Sequence, residues 1–98
     1  MTLTSILDDL ARQGFGARFG VIGDGLRAIE GGRTFRADEL MIRGYYRFEG
    51  VSDPDDMSIV YAIESRDGTR GTLVDAFGVY ADPAVGAVLQ NVPIRRAV

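Results

Sequence analysis

Cysteine, histidine and lysine are all missing from this chain. Without cysteine it can have no disulfide, thiolate zinc site or thiol nucleophile. Without histidine it lacks the commonest metal ligand and the commonest general base near neutral pH. Because every basic residue is an arginine, Schiff-base chemistry and a phosphate-binding P-loop lysine are excluded too. These absences disfavour an enzyme, and no cofactor is expected.

Length and charge narrow the class of protein further. The chain of 98 residues is the size of a single domain, spanning residues 1–98, and its apolar fraction of 46% is that of an ordinary soluble protein. The apolar runs are short, and the first residues lack the pattern of a secretory signal, so we expect a cytoplasmic protein outside the membrane. The net charge of −3 argues against nucleic-acid binding.

Hydrophobic patterning predicts an α+β domain. We expect an antiparallel sheet of about five strands, an N-terminal helix packed on its apolar face, and a short C-terminal helix. The first helix is predicted over residues 3–13 with Thr2 or Thr4 as its N-cap, and Asp82-Pro83 is typical of the start of a second helix over residues 83–90. A short hairpin turns at Gly23-Asp24-Gly25 and is followed by a polar connection. Three longer strands are predicted over residues 40–49, 57–66 and 70–80.

The Asp67-Gly68 pair predicts how the last two of these strands align. If the two residues form a two-residue hairpin turn, Ile63 faces Thr72, Tyr61 faces Val74 and Ile59 faces Ala76. One face of the sheet then carries the apolar side chains Met57, Ile59, Tyr61, Ile63, Val74 and Ala76, as a consistent register requires. Pairing Phe48 with Met57 aligns the strand over residues 40–49 with the strand over residues 57–66.

In that register four polar side chains share the opposite face: Arg43, Tyr45, Arg47 and Asp75. Asp75, Val60 and Tyr45 form one row, with the two arginines on the neighbouring rows, within reach of long side chains. Arginine suits carboxylate or phosphate, so these four are a candidate site for a small anionic ligand. The simpler interpretation is a half-solvated face with balanced charges. The cluster requires that Asp75 and Ile59 point to opposite faces.

The acidic segment Asp53-Pro54-Asp55-Asp56 is interpreted as a type I turn, in which aspartate accepts a backbone hydrogen bond and proline presets φ. A calcium-binding loop is the alternative. Counted from Asp53, that loop would require a glycine where Ser58 stands and a glutamate where Glu64 stands. Only the glutamate matches. We therefore predict no metal site here, although cation binding by the turn stays open.

The run YRFEGVSDPDDMSIVYAIESRDGTRGTLVDAFGVY, from Tyr46 to Tyr80, resembles a small bacterial family. Its members share YRFEG-x-SDPDD, a YAI strand and a G-x-LVDA[YF]G-x-Y strand, and some carry the label phosphoribosylpyrophosphate synthetase. The ATP-binding and pyrophosphate-binding motifs of such an enzyme are not found in this sequence. The resemblance implies a single α+β domain and assigns no catalytic residue.

Two functional hypotheses follow. The first is a small non-catalytic binding or interaction module. The second is a ligand-binding or enzymatic domain that acts on a phosphate- or carboxylate-bearing molecule through Arg43, Arg47 and Asp75. Apolar residues fall on both faces of the predicted sheet, and one helix cannot cover both, so we also expect a homodimer.

Overall fold

A computed structural model gives the fold and describes residues 2–48, 57–76 and 81–96. This part of the chain contains two α-helices, six β-strands and one 3₁₀ turn. The helices are α1 (Leu3–Arg12) and α2 (Pro83–Leu89). The strands are β1 (Ala17–Ile22), β2 (Gly25–Ala28), β3 (Thr34–Arg36), β4 (Leu40–Phe48), β5 (Ser58–Ser65) and β6 (Arg70–Ala76), and the 3₁₀ turn is Ala37–Glu39.

The six strands form one mixed sheet in the order β3-β2-β1-β6-β5-β4. All neighbours are antiparallel except β1 and β6, which run parallel with Ala17 opposite Gly71. The α+β class is therefore confirmed, with a sheet of six strands that is mostly rather than wholly antiparallel. The additional strand, β3, lies where the sequence predicts a polar connection. It has only three residues, of which Phe35 alone is buried, so no alternation is long enough to indicate a strand.

The two helices pack on opposite faces of the sheet. Ile6 and Leu10 of α1 are buried against Val60 and Ala62 of β5, so we call this side the α1 face. Residues Val85, Val88 and Leu89 of α2 are buried on the other side with Ile63 and Leu73, which is the α2 face. The expectation that the N-terminal helix covers the face of Ile63 is therefore wrong, because the shorter helix takes that place.

Both helices begin as their sequences predict. The Thr2 side chain accepts a hydrogen bond from the Ser5 backbone N–H at 3.1 Å, and the Asp82 side chain accepts one from the Ala84 N–H at 2.9 Å. These contacts satisfy backbone donors that a helix leaves without partners in its first turn. Within the described ranges, neither helix is long and apolar enough to cross a membrane.

The turn between β5 and β6 contains three residues rather than two. The Ser65 N–H donates to the Thr69 carbonyl at 2.9 Å, which leaves residues 66–68 as the loop, and Gly68 has a φ of +89°. A three-residue hairpin loop of this kind ends in a left-handed residue, which glycine adopts without strain. The Asp67 side chain fixes the loop by accepting hydrogen bonds from the Ser65 hydroxyl and from the Thr69 N–H.

The longer loop moves the β5–β6 register by one residue from the predicted one. Ile59 pairs with Asp75, Tyr61 with Leu73 and Ile63 with Gly71. The predicted pairings of these three with Ala76, Val74 and Thr72 are wrong. Because side chains alternate along a strand, Asp75 and Leu73 lie on the α2 face with Ile59, and Val74 and Ala76 lie on the α1 face.

A β-bulge at Arg43 produces the second register change, between β4 and β5. Ile42 pairs with Ile63, in agreement with the register that a Phe48–Met57 pair implies, but Gly44 pairs with Ala62 and Phe48 with Ser58. A bulge inserts one extra residue in one strand, so every later residue of β4 meets a partner one position further along. The sequence patterning gives no sign of this irregularity.

Replacement of Asp67 by asparagine tests the hairpin through its pH dependence. The Ser65 hydroxyl and then the Thr69 N–H lower the pKa of Asp67 from 3.8 to about 2, with a smaller contribution from Arg33. The ionised carboxylate therefore stabilises the folded state above about pH 3.8, and this stabilisation is lost as the pH falls through about 2. We expect the Tm of Asp67→Asn to lie below that of the wild type near neutral pH and the two values to converge in acid. A Tm difference that does not change with pH would contradict this account of the turn.

Replacement of Gly71 by alanine tests the parallel β1–β6 pairing. A Cβ at this position would collide with the carbonyl oxygen of Ala17 and lie 2.8 Å from the Phe19 ring. Overpacking of this kind costs about 1–3 kcal/mol of folding free energy. Denaturant unfolding of Gly71→Ala measures the loss. The matched control is Gly16→Ala, whose Cβ would have no neighbour within 4 Å, and equal stabilities of the two variants would refute the close approach.

Candidate functional site

The structure brings three of the four predicted site residues to one face. Tyr45 pairs with Tyr61, and Arg47 pairs with Ile59, which in turn pairs with Asp75. Tyr45, Arg47 and Asp75 therefore lie on the α2 face, with Arg47 and Asp75 in one row across three strands. Asp75 shares the layer of Ile59, so the predicted grouping fails as stated. The three residues still share one face because β4 and β6 are both displaced by one residue relative to β5.

Arg43 lies on the α1 face, away from the other three. As the extra residue of the bulge it turns toward Glu64, with 3.6 Å between its Nε and the Glu64 Oε1. Arg70 reaches the same carboxylate, with 3.4 Å between its Nε and Oε2. Two guanidinium groups thus share one carboxylate, which leaves a net positive charge beside the bulge.

Asp75 also has a role in the fold. Its Oδ1 accepts a hydrogen bond from the Asp82 backbone N–H at 3.1 Å, and Asp82 is the N-cap of α2. The Asp75 carboxylate therefore links the end of β6 to the start of the helix. Because this carboxylate already accepts a hydrogen bond that the fold requires, it is less suited to act as a catalytic acid or base.

An aromatic pair occupies the α2 face beside Arg47. The ring centroids of Tyr45 and Tyr61 are 6.4 Å apart and the rings are inclined at 47°. On the other side of Tyr45, the guanidinium carbon of Arg96 lies 5.1 Å from the ring centroid, within the range of a cation–π contact. Tyr45 is thus held between a second tyrosine and an arginine from the C-terminal segment.

The C-terminal segment reaches this place by pairing with β4, the last strand of the sheet. The Ile42 N–H donates to the Pro93 carbonyl, and the Arg95 N–H donates to the Ile42 carbonyl, both at 2.8 Å. These two bonds form an isolated parallel bridge between Ile42 and Ile94. The segment therefore covers the outer edge of β4 at Ile42 and brings Ile94 and Arg96 next to Tyr45.

Two shallow depressions meet at Tyr45. The first, the face depression, lies on the α2 face and is lined by Tyr45, Arg47, Ile59, Tyr61 and Ile94. The second, the edge depression, is lined by Arg43, Gly44, Tyr45, Tyr46 and Arg96. Because the edge depression includes residues from both faces, it must lie at the outer edge of β4. We call the two depressions together the Tyr45 surface.

A third cleft lies on the α1 face between the first helix and β4. Ile6, Asp9, Leu10, Gln13 and Tyr46 line it. Its carboxylate is already paired, since Oδ1 of Asp9 lies 2.7 Å from Nη1 of Arg12. This cleft is mostly apolar and offers only the Gln13 amide and the Tyr46 hydroxyl as further polar groups, so the Tyr45 surface is the better candidate site.

The pKa of Tyr61 depends on burial and on the charged side chains of the α2 face. Burial raises the pKa of the Tyr61 phenol above its usual 10, the negative charge of Asp75 raises it further, and Arg47 acts in the opposite direction. One phenol therefore senses both charged side chains. This agrees with the row that Asp75, Ile59 and Arg47 form in the sheet.

Sequence reasoning did not identify Tyr61, Ile94 or Arg96 as part of the site. Tyr61 is predicted as a core residue because the predicted register places it opposite to Tyr45. Ile94 and Arg96 lie in a short tail after Pro93, where no periodicity indicates pairing.

The acidic turn Asp53-Pro54-Asp55-Asp56 falls outside the described residues. The later positions of the alternative calcium loop, Ser58 and Glu64, lie in β5, and the Glu64 carboxylate contacts Arg43 and Arg70.

Comparisons of the chain with protein-family models, with curated proteins and with solved structures found no match. The resemblance of residues 46–80 to a bacterial family therefore stays an expectation, and the geometry of the Tyr45 surface carries the functional argument.

The phenol pKa of Tyr61 tests the arrangement of charges in the site. Removal of the negative charge by Asp75→Asn should lower this pKa, and removal of the positive charge by Arg47→Gln should raise it, because each neighbour now acts in the opposite sense. NMR titration of ring-labelled tyrosine measures both, with Tyr61→Phe to assign the signal. If neither substitution moves the pKa of Tyr61, the two side chains do not flank it.

Proposed function

We propose that the chain is a small non-catalytic binding module and that the Tyr45 surface contacts its partner. The observation that carries the proposal is the grouping of Tyr45, Tyr46 and Arg96 at the last strand of the sheet. Tyr45 and Tyr46 are 38% and 43% exposed, although tyrosine has a large apolar ring. Tyrosine and arginine are the side chains most enriched where partner proteins bind tightly.

Two features support a binding role over a catalytic one. The carboxylates nearest the Tyr45 surface already have partners in the fold, with Asp75 bonded to the Asp82 N–H and Glu64 shared by two arginines. Both depressions are also shallow, so they would not exclude water from a reaction. A shallow surface with exposed aromatic rings suits recognition better than chemistry.

The second candidate function, a small-anion site formed by Arg43, Arg47 and Asp75, has weaker support. Arg43 lies on the opposite face of the sheet from the other two and is joined to Glu64. A single small ligand would therefore contact Arg47 and Asp75 without Arg43. Thermal-shift measurements with phosphate, nucleotides and dicarboxylates address this candidate, and a raised Tm that depends on both Arg47 and Asp75 would favour it.

Selection of random peptides displayed on phage tests the binding module directly. We expect the immobilised wild type to enrich a related set of peptides, and Tyr45→Ser to lose them because the ring between Tyr61 and Arg96 is removed. The control is Arg27→Ser on β2, which is exposed and three strands from β5 in the sheet order. No enrichment on the wild type, or equal enrichment on Tyr45→Ser, would contradict the proposal.

We also propose a homodimer that uses a different surface. The α1 face beyond α1 carries three exposed apolar side chains, Ile22, Ile29 and Val74, at 44%, 55% and 41% exposure. The parallel pairing of Arg18 with Thr72 places β1 and β6 in register. A Cβ at Gly20 would lie 3.9 Å from Cδ1 of Ile29, so Ile29 lies over this part of the sheet. Contiguous apolar patches at a protein surface mark sites of protein–protein contact.

Light scattering over a range of concentrations tests the dimer. We expect the wild type to be dimeric and Ile29→Glu to be monomeric, because a carboxylate would be buried without a partner in the interface. Ile29→Leu keeps an apolar side chain and should stay dimeric. A wild type that is monomeric throughout would exclude the dimer without affecting the binding proposal.

A further inference from the structure

We infer that the partner of the Tyr45 surface is a short acidic segment of another protein, bound in an extended conformation along the outer edge of β4. This inference rests on the proposed binding function and names the chemistry of its ligand. It follows from three properties of the edge depression: its position on the last strand, its local positive charge and its exposure.

The position favours an extended peptide. The sheet order ends at β4, and an end strand offers backbone N–H and C=O groups that an added strand can use. The C-terminal segment already pairs with this edge in a parallel bridge at Ile42 and Ile94. Beyond that bridge, no segment among the described residues pairs with the edge at Gly44 or Tyr45. Tyr45 and Tyr46 lie on opposite faces, so a strand added there would have a tyrosine ring on each side.

The local charge favours an acidic partner. The chain as a whole has a net charge of −3, but the charges around the edge depression are positive. Arg43 and Arg70 share the single carboxylate of Glu64. Within the part of the chain that the structure describes, neither Arg95 nor Arg96 forms an ion pair. Guanidinium groups bind carboxylates in a two-pronged geometry, so glutamate or aspartate side chains of an added strand would find partners here.

The exposure of the depression argues against a small anion as the ligand. Tyr45 and Tyr46 are well exposed, and the Arg43 side chain retains 28% exposure. A single exposed ion pair contributes little because water and salt screen it. An extended segment instead combines backbone hydrogen bonds with several ion pairs and ring contacts.

Two other occupants fit the same edge less well. In a two-fold contact between two β4 edges the same surface patch of each copy faces the other, so the positive charge of Arg95 and Arg96 on one copy would lie close to that of its partner. A nucleic acid would bring many negative charges along its backbone. Its long and uniformly charged backbone would extend beyond this local positive patch onto a chain whose net charge is −3. A short acidic peptide avoids both conflicts.

Fluorescence anisotropy with defined probes tests the inference. Three labelled peptides of about ten residues alternate threonine with glutamate, glutamine or lysine, so that only the charge differs, and an oligothymidine of similar size is the fourth probe. We expect the glutamate peptide to bind most tightly, the glutamine peptide more weakly and the lysine peptide not at all. Added salt should weaken binding of the glutamate peptide, because the ion pairs are exposed.

A matched pair of variants locates the binding. Arg96→Gln should weaken binding of the glutamate peptide about twofold to fivefold, as expected for the loss of one exposed ion pair. Arg36→Gln makes the same charge change on β3, at the other end of the sheet, and should bind as the wild type does. On addition of the peptide, NMR should show slower hydrogen exchange at the Tyr45 amide.

Each remaining outcome overturns the inference. Equal binding of the glutamate and glutamine peptides would refute an acidic partner. It would leave the peptide-binding module to be tested by the phage selection. Tighter binding of the oligothymidine, lost in Arg96→Gln, would assign the surface to nucleic acid. If none of the four probes binds, the acidic strand is refuted, and the phage selection decides separately whether the surface binds peptides at all.

Discussion

The register of β4, β5 and β6 is the constraint on which the rest of the structure depends. A bulge at Arg43 sets the pairing of β4 with β5, and a three-residue turn over residues 66–68 sets the pairing of β5 with β6. A displacement of one residue moves a side chain to the other face of the sheet. These two local irregularities therefore decide which residues α1 and α2 can bury, and which remain at the surface beside Tyr45.

The same register separates the core from the recognition surface. On the α2 face, Ile63 and Leu73 lie under α2, whereas Tyr45 and Tyr61 lie further along their strands and pack against each other. On the α1 face, Val60 and Ala62 lie under α1. The bulge turns Arg43 to Glu64 on the α1 face and keeps Tyr45 on the α2 face, where its ring lies beside Tyr61 of β5. Arg96 of the C-terminal segment completes the surface.

The sequence predicted both helices and five of the six strands, but it missed β3 and the alignment of β4, β5 and β6. Helix starts at Thr2 and Asp82 follow from local chemistry, because a cap depends on a few neighbouring residues. Asp67 and Gly68 correctly indicate a hairpin, but they fit a two-residue loop as well as the three-residue loop that forms. The choice depends on the Ser65 hydroxyl and the Thr69 N–H, which only the folded geometry brings to Asp67. Likewise, the predicted registers of β4 and β6 against β5 are each wrong by one residue. Both differences move side chains to the α2 face, so Tyr45, Arg47 and Asp75 still share a face.

Backbone NMR measures this register most directly. In uniformly labelled protein, nuclear Overhauser contacts between opposite strands should connect Tyr45 with Tyr61 and Ile59 with Asp75, as the observed pairing requires. Contacts that connect Tyr45 with Val60, or Ile59 with Ala76, would instead place Tyr45 and Asp75 on the opposite face from Tyr61 and Ile59. That result would break up the Tyr45 surface and remove the basis for a binding site at the edge of β4.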